Sequence, residues 1–181
     1  MAGSKLGQRL KLPVIPKVSA KVSEKVGAKV VMTEIFFHFN APGKVAYACR
    51  LLRKAVNGNA RVVVAGDAHV LGQLDTALWT FSPLDFIPHC FDDAGAGMVG
   101  ASPVVLERGK VRVPGGLRSQ ILVNLGAQVP EGFERFERLI ELVGTDDDDR
   151  IIARDRWKYY AHRGYALKSH DVVTPTASDS P

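Results

Sequence analysis

Cysteine is scarce in this 181-residue chain, occurring only as Cys49 and Cys90. Neither belongs to a CxxC pair, so a disulfide framework and a cysteine-based zinc site are both excluded, and the usage fits a reducing cytoplasm. No apolar stretch approaches the ~18 residues of a membrane-spanning helix. A GxxxxGK[ST] phosphate loop and a GxSxG nucleophile elbow are also missing. The five histidines, His38, His69, His89, His162 and His170, fall at no metal-ligand spacing. No serine or cysteine sits beside a residue that would activate it. The expectation is a cytoplasmic protein with no metal, no cofactor and no catalytic residue of its own.

An excess of positive charge is present but local. The chain carries 24 basic and 19 acidic residues, a net +5. Seven of those basic residues and only Glu24 of the acidic ones lie in residues 1–31, leaving 17 basic against 18 acidic groups in the remainder. The body is close to neutral, so global charge says little about nucleic-acid binding by the domain. Residues 1–31, with Pro13, Pro16 and no apolar face, read as a disordered basic extension or an upstream start ahead of Met32. Residues 32–168 are expected to form one domain, and residues 169–181, which include TPTASDSP, a second disordered segment.

Within the body the pattern alternates between strand and helix. Thr33–Asn40 (TEIFFHFN) is a predicted strand broken by Ala41-Pro42-Gly43. Lys44–Ala55 has apolar residues at helical spacing with Lys44, Arg50, Arg53 and Lys54 on the wet side. Arg61–Ala65 is a short apolar strand of the kind buried on both faces of a parallel sheet, and Asp67–Phe81 a second helix, ended by Ser82-Pro83. Further strands are predicted near Pro103–Glu107 and Gln120–Leu125, with Lys110–Arg118 between them a hairpin arm or a mobile loop. Phe133–Val143 reads as a third helix and Asp149–Tyr165 as the last, opened by the acidic run Asp146–Asp149. Successive strand–helix units predict an open, mostly parallel α/β sheet with helices on both faces.

Three stretches invite a functional reading. Gly95–Gly100 matches GxGxxG, yet Asp92 and Asp93 precede it and a strand rather than a helix is predicted after it, so a flexible loop is expected instead of a dinucleotide site. In the segment Trp79–Ile87, Phe81 and Ile87 are expected in the core, while Trp79 and Phe86 fit either the core or anchors for a partner subunit. In the last helix, a turn of about 100° per residue gathers Arg150, Arg154, Trp157 and Lys158 in one sector, with Ile152, Ala153, Tyr159 and Tyr160 on another. Three cations around an indole suit a carboxylate joined to an apolar side chain. An ordinary solvated basic face is the competing reading.

Three blocks carry a resemblance: FFHFNAPGKVAYACRLLRKA (Phe36–Ala55), LDTALWTFSPLDFIPH (Leu74–His89) and ARDRWKYYAHRGYAL (Ala153–Leu167). Together they resemble the chi subunit of bacterial DNA polymerase III, over roughly Thr33–Leu167. The resemblance implies a three-layer α/β/α domain of mononucleotide-binding topology that binds no nucleotide. It implies a non-catalytic accessory protein of the clamp-loader assembly, bridging two partners. One is single-stranded DNA-binding protein (SSB), held by its acidic C-terminal tail through the positions of Arg150, Arg154, Trp157 and Lys158. The other is the psi subunit, met by Trp79 and Phe86. Where the family carries Lys and Tyr this chain has Arg150 and Trp157, which keep the charge and the flat surface without the phenolic hydroxyl. A competing function is direct binding of single-stranded nucleic acid by the basic extension and the final helix.

Overall fold

The computed structural model describes residues 32–81, 86–109 and 121–173. The basic extension 1–31, the Ser82-Pro83 break, the Lys110–Arg118 arm and the last eight residues lie outside the described residues. In chain order the elements are β1 (Glu34–Ala41), α1 (Lys44–Asn57), β2 (Val62–Ala65), α2 (Ala68–Thr80), β3 (His89–Phe91), α3 (Ala96–Ala101), β4 (Val104–Glu107), β5 (Ile121–Asn124), β6 (Arg138–Gly144), α4 (Asp147–His162) and β7 (Leu167–Asp171). A 3-10 turn at Phe133–Arg135 precedes β6.

Among the described residues the seven strands form one sheet in the order β3-β4-β2-β5-β6-β1-β7, with every pairing parallel. Parallel pairing needs crossover connections, and those put helices on both faces. α1 and α2 bury Ala48, Cys49, Leu52, Leu71, Leu74 and Leu78 against one face. α4, the 3-10 turn and α3 cover the other, where Ala153, Tyr160 and Phe133 are buried and Val99 packs against them. This is the three-layer α/β/α fold expected. The central strands VVVA and VVLE are buried along their whole length, as sandwiching between two helical layers requires.

Three expectations are corrected. Phe133–Val143 is not a helix: it holds a one-turn 3-10 segment and then the inner strand β6. Leu139, Ile140, Leu142 and Val143 satisfy helical spacing, but they also alternate between the two cores, with Leu139 and Val143 on the α4 side and Ile140 and Leu142 on the other. Glu141 disguised the strand, since a carboxylate in its middle reads as the wet side of a helix. Secondly, the disordered segment does not begin at Ser169, because Ser169, His170 and Asp171 pair with Phe37, His38 and Phe39 as the edge strand β7. The GxGxxG stretch is also not an open loop, since Gly97 and Gly100 lie inside the short helix α3. A Cβ at Gly95, Gly97 or Gly100 would meet nothing within 4 Å, so no close backbone approach demands these glycines.

Candidate functional site, a groove between α4 and the sheet edge

α4 is seated by buried polar contacts at its foot and along its inner face. Asp149 Oδ2 accepts the Gly144 backbone N–H at 2.6 Å and pairs with Lys44 Nζ at 3.1 Å, which ties the first turn to the end of β6 and the start of α1. Deeper in, the Glu141 carboxylate under the helix accepts Arg156 Nε at 2.9 Å, the Tyr160 hydroxyl at 2.7 Å and Asn124 Nδ2 at 3.0 Å. Arg156 Nη1 donates to the Ala127 carbonyl at 3.0 Å. Burial pushes the Glu141 carboxyl above its usual range, against the pull of Arg156 and the other donors. The phenol of Tyr160 is raised as well, by burial first and then by the adjacent carboxylate.

The inward arc of α4 is therefore Ala153, Arg156 and Tyr160. Ile152, expected on the packed face, is 39% exposed. The buried arc is turned toward Ala153 and Tyr160, whereas the predicted sector reached as far as Ile152. With that rotation, Arg150, Arg154 and Trp157 stand at the edge of the helix nearest β1 and β7.

Between them and the strands lies a depression of roughly 340 Å³ lined by Phe37, Phe39, Asn40, Val143, Arg150, Ala153, Arg154, Trp157 and Ser169. Its size is at the lower end of small-ligand sites, which span about 300–1,000 Å³. Phe37, Val143 and Ala153 are buried and form its apolar floor. Trp157 leans on Phe37 with ring centroids 4.9 Å apart at 57°, and remains 36% exposed. Arg150 Nη2 donates to Asn40 Oδ1 at 2.9 Å, and its Nη1 lies 3.5 Å from Asp147 Oδ1. Arg154 is exposed and, among the described residues, forms no hydrogen bond or ion pair. Lys158 does not line the depression, and its Nζ pairs with Asp155 at 3.2 Å. An apolar floor with a guanidinium held on one side and an uncommitted one on the other is an acceptor for a carboxylate carrying a large apolar group.

Residues 32–168 match the family model described as DNA polymerase III chi subunit, HolC. The DNA polymerase III subunit chi of Pseudomonas aeruginosa is 31% identical over 144 residues, covering 77% of this chain and 96% of that protein. The proteins of the same name from Escherichia coli and Haemophilus influenzae are 28% and 25% identical, over 67% and 69% of this chain and 80% and 85% of their own lengths. The chain belongs to the DNA polymerase III chi subunit family.

The second surface of this chi-family chain sits on the opposite helical layer. At the end of α2, Trp79 is 60% exposed and Phe86 59%, with ring centroids 5.1 Å apart. Ile87 is buried and Phe81 half-buried, so the stretch divides into two core-facing and two outward aromatic or aliphatic side chains. Trp79 rests edge-on against His89 at 5.2 Å, whose ring is buried between the Ile87 carbonyl at 2.7 Å and the Asp75 carboxylate at 3.1 Å. An exposed pair of large rings on a fixed base is not part of the core. Sequence reasoning missed Phe37 and Asn40 as groove residues and Arg156 as the helix anchor. Arg156 does lie within about 60° of Ala153 and Tyr160 on a helical wheel, and that position was the available signal.

Proposed function

We propose that this chain acts in DNA replication as an accessory subunit of the DNA polymerase III holoenzyme that contributes binding rather than chemistry. In this reading the groove along α4 receives the acidic C-terminal tail of SSB, and the Trp79–Phe86 face meets the psi subunit of the clamp loader. The observation that carries it is the groove itself: an apolar floor of Phe37, Val143 and Ala153 under a rim of Arg150, Arg154 and Trp157. A terminal aromatic residue suits the floor and the face of Trp157, and its carboxylate suits the two guanidinium groups. Lys158, one step further round the helix, suits acidic residues upstream in the tail. Charge-assisted contacts of this number predict micromolar-class, salt-sensitive binding, which serves a contact that must form and release repeatedly.

Arg154 is the sharpest test, because among the described residues nothing competes for its charge. Losing a charge-assisted bond of ~1.5–3 kcal/mol predicts about ten-fold or greater weakening for Arg154→Ala. The measurement is isothermal calorimetry with a synthetic SSB tail peptide, and unchanged affinity would remove the groove from the list of tail receptors.

A further inference from the structure

Asn40 is one of two non-glycine residues in the described chain with a positive φ, at 61°. It sits where the pairing of β1 with β6 shifts register between His38 and Ala41. Such irregularities turn a side chain away from its regular alternation, and asparagine is among the few residues that adopt this backbone readily. The turned side chain lines the groove, where its Oδ1 accepts Nη2 of Arg150 at 2.9 Å. Arginine has only donors, so the amide must present its oxygen to Arg150. Among the described residues the two N–H donors of that amide have no partner.

We infer that Asn40 is a positioning residue for peptide binding: it holds the Arg150 guanidinium at the rim of the groove, and it acts through that arginine. The inference rests on the reading of the groove as a receptor for an acidic peptide. Without Asn40, the remaining polar contact of Arg150 among the described residues is the long one to Asp147, on the highly exposed first turn of α4. The guanidinium would then be shared with a competing carboxylate and free to sample several rotamers, which weakens any bidentate hold on a ligand. An uncharged partner orients the cation without cancelling its charge, which an aspartate at this place would do.

The test uses the full chain and calorimetry with a synthetic acidic peptide ending in phenylalanine with a free carboxylate. Asn40→Gly keeps the backbone conformation at no steric cost and removes only the amide, and is expected to weaken binding roughly three- to ten-fold. The double variant Asn40→Gly/Arg150→Ala should bind no more weakly than Arg150→Ala alone, because the amide acts through that arginine. Asn40→Asp, which also tolerates the backbone, should weaken binding at least as much as Asn40→Gly. Unchanged affinity in either single variant overturns the inference, and so does a double variant in which the two losses multiply. Arg154→Ala separates the layers: if it weakens binding while Asn40→Gly does not, only the role of Asn40 falls. If Arg154→Ala also binds like the parent chain, the receptor reading has failed and the inference goes with it.

Discussion

His38 is held well below the ordinary range of an imidazole, at about 4. Burial is the main cause, followed by the neighbouring His170 and Arg138, since the ring of His170 lies 5.0 Å away on β7. The Tyr47 hydroxyl at 2.8 Å from Nδ1 suits the neutral ring. A depressed histidine is neutral in the folded chain while the unfolded chain takes a proton below about 6.5. Stability is therefore full above about 6.5, falls as pH drops toward about 4, and this contribution levels off below that. The slope from one such group is at most ~1.4 kcal/mol per pH unit, lowered by the solvent the ring still meets. Urea unfolding at pH 7 and pH 5 should show a larger drop for the parent chain than for His38→Gln. Equal drops in the two would mean that His38 does not carry the acid sensitivity. At this scale the sequence was informative about type and silent about pairing. Arg150, Arg154 and Trp157 declared themselves through residue chemistry and helical spacing. Asn40 and Phe37 did not, because their part in the groove depends on a strand partner far along the chain.

At the scale of elements, the rotation of α4 decides which side chains reach the groove, and that rotation is fixed by a buried ion pair. Removing one member of such a pair leaves the other charged group buried and uncompensated, at about 3–5 kcal/mol. Arg156→Met is accordingly expected to lose that amount in chemical unfolding, and Arg156→Met/Glu141→Leu to lose less than Arg156→Met alone. A double variant that is the less stable of the two would show that the pair is not what makes Arg156 costly to remove. The same pair explains why β6 was misread: hydrophobic periodicity is a dependable guide only where polar residues point to water, and Glu141 points to Arg156. Strands β2, β4 and β5 were readable from their apolar runs, since the buried Glu107 stands at the end of β4 and not in its middle, as were helices α1 and α2 from theirs. β7 was hidden for a different cause, since LKSHD has little strand propensity and owes its form to pairing with β1.

For the molecule as a whole, the two outward surfaces belong to different layers, with α2 packed on one face of the sheet and α4 on the other. A chain that joins two partners through opposite faces can hold both at once without steric competition. Trp79→Ala/Phe86→Ala should abolish co-purification with a psi protein while leaving the affinity for an SSB tail peptide within about two-fold, since well-separated sites act independently. Retention of psi by the folded double variant would exclude these rings as its anchors. The sheet order has one more consequence, for the birth of the chain. β1 is made first among the described strands, yet both of its neighbours, β6 and β7, are the last of them to be made. Until residues 138–144 leave the ribosome, the run Ile35-Phe36-Phe37 has no strand on either side and no helix α4 above it. A nascent chain therefore carries an unpaired, aromatic-rich strand until β6 and β7 have been made, and its native sheet closes only then.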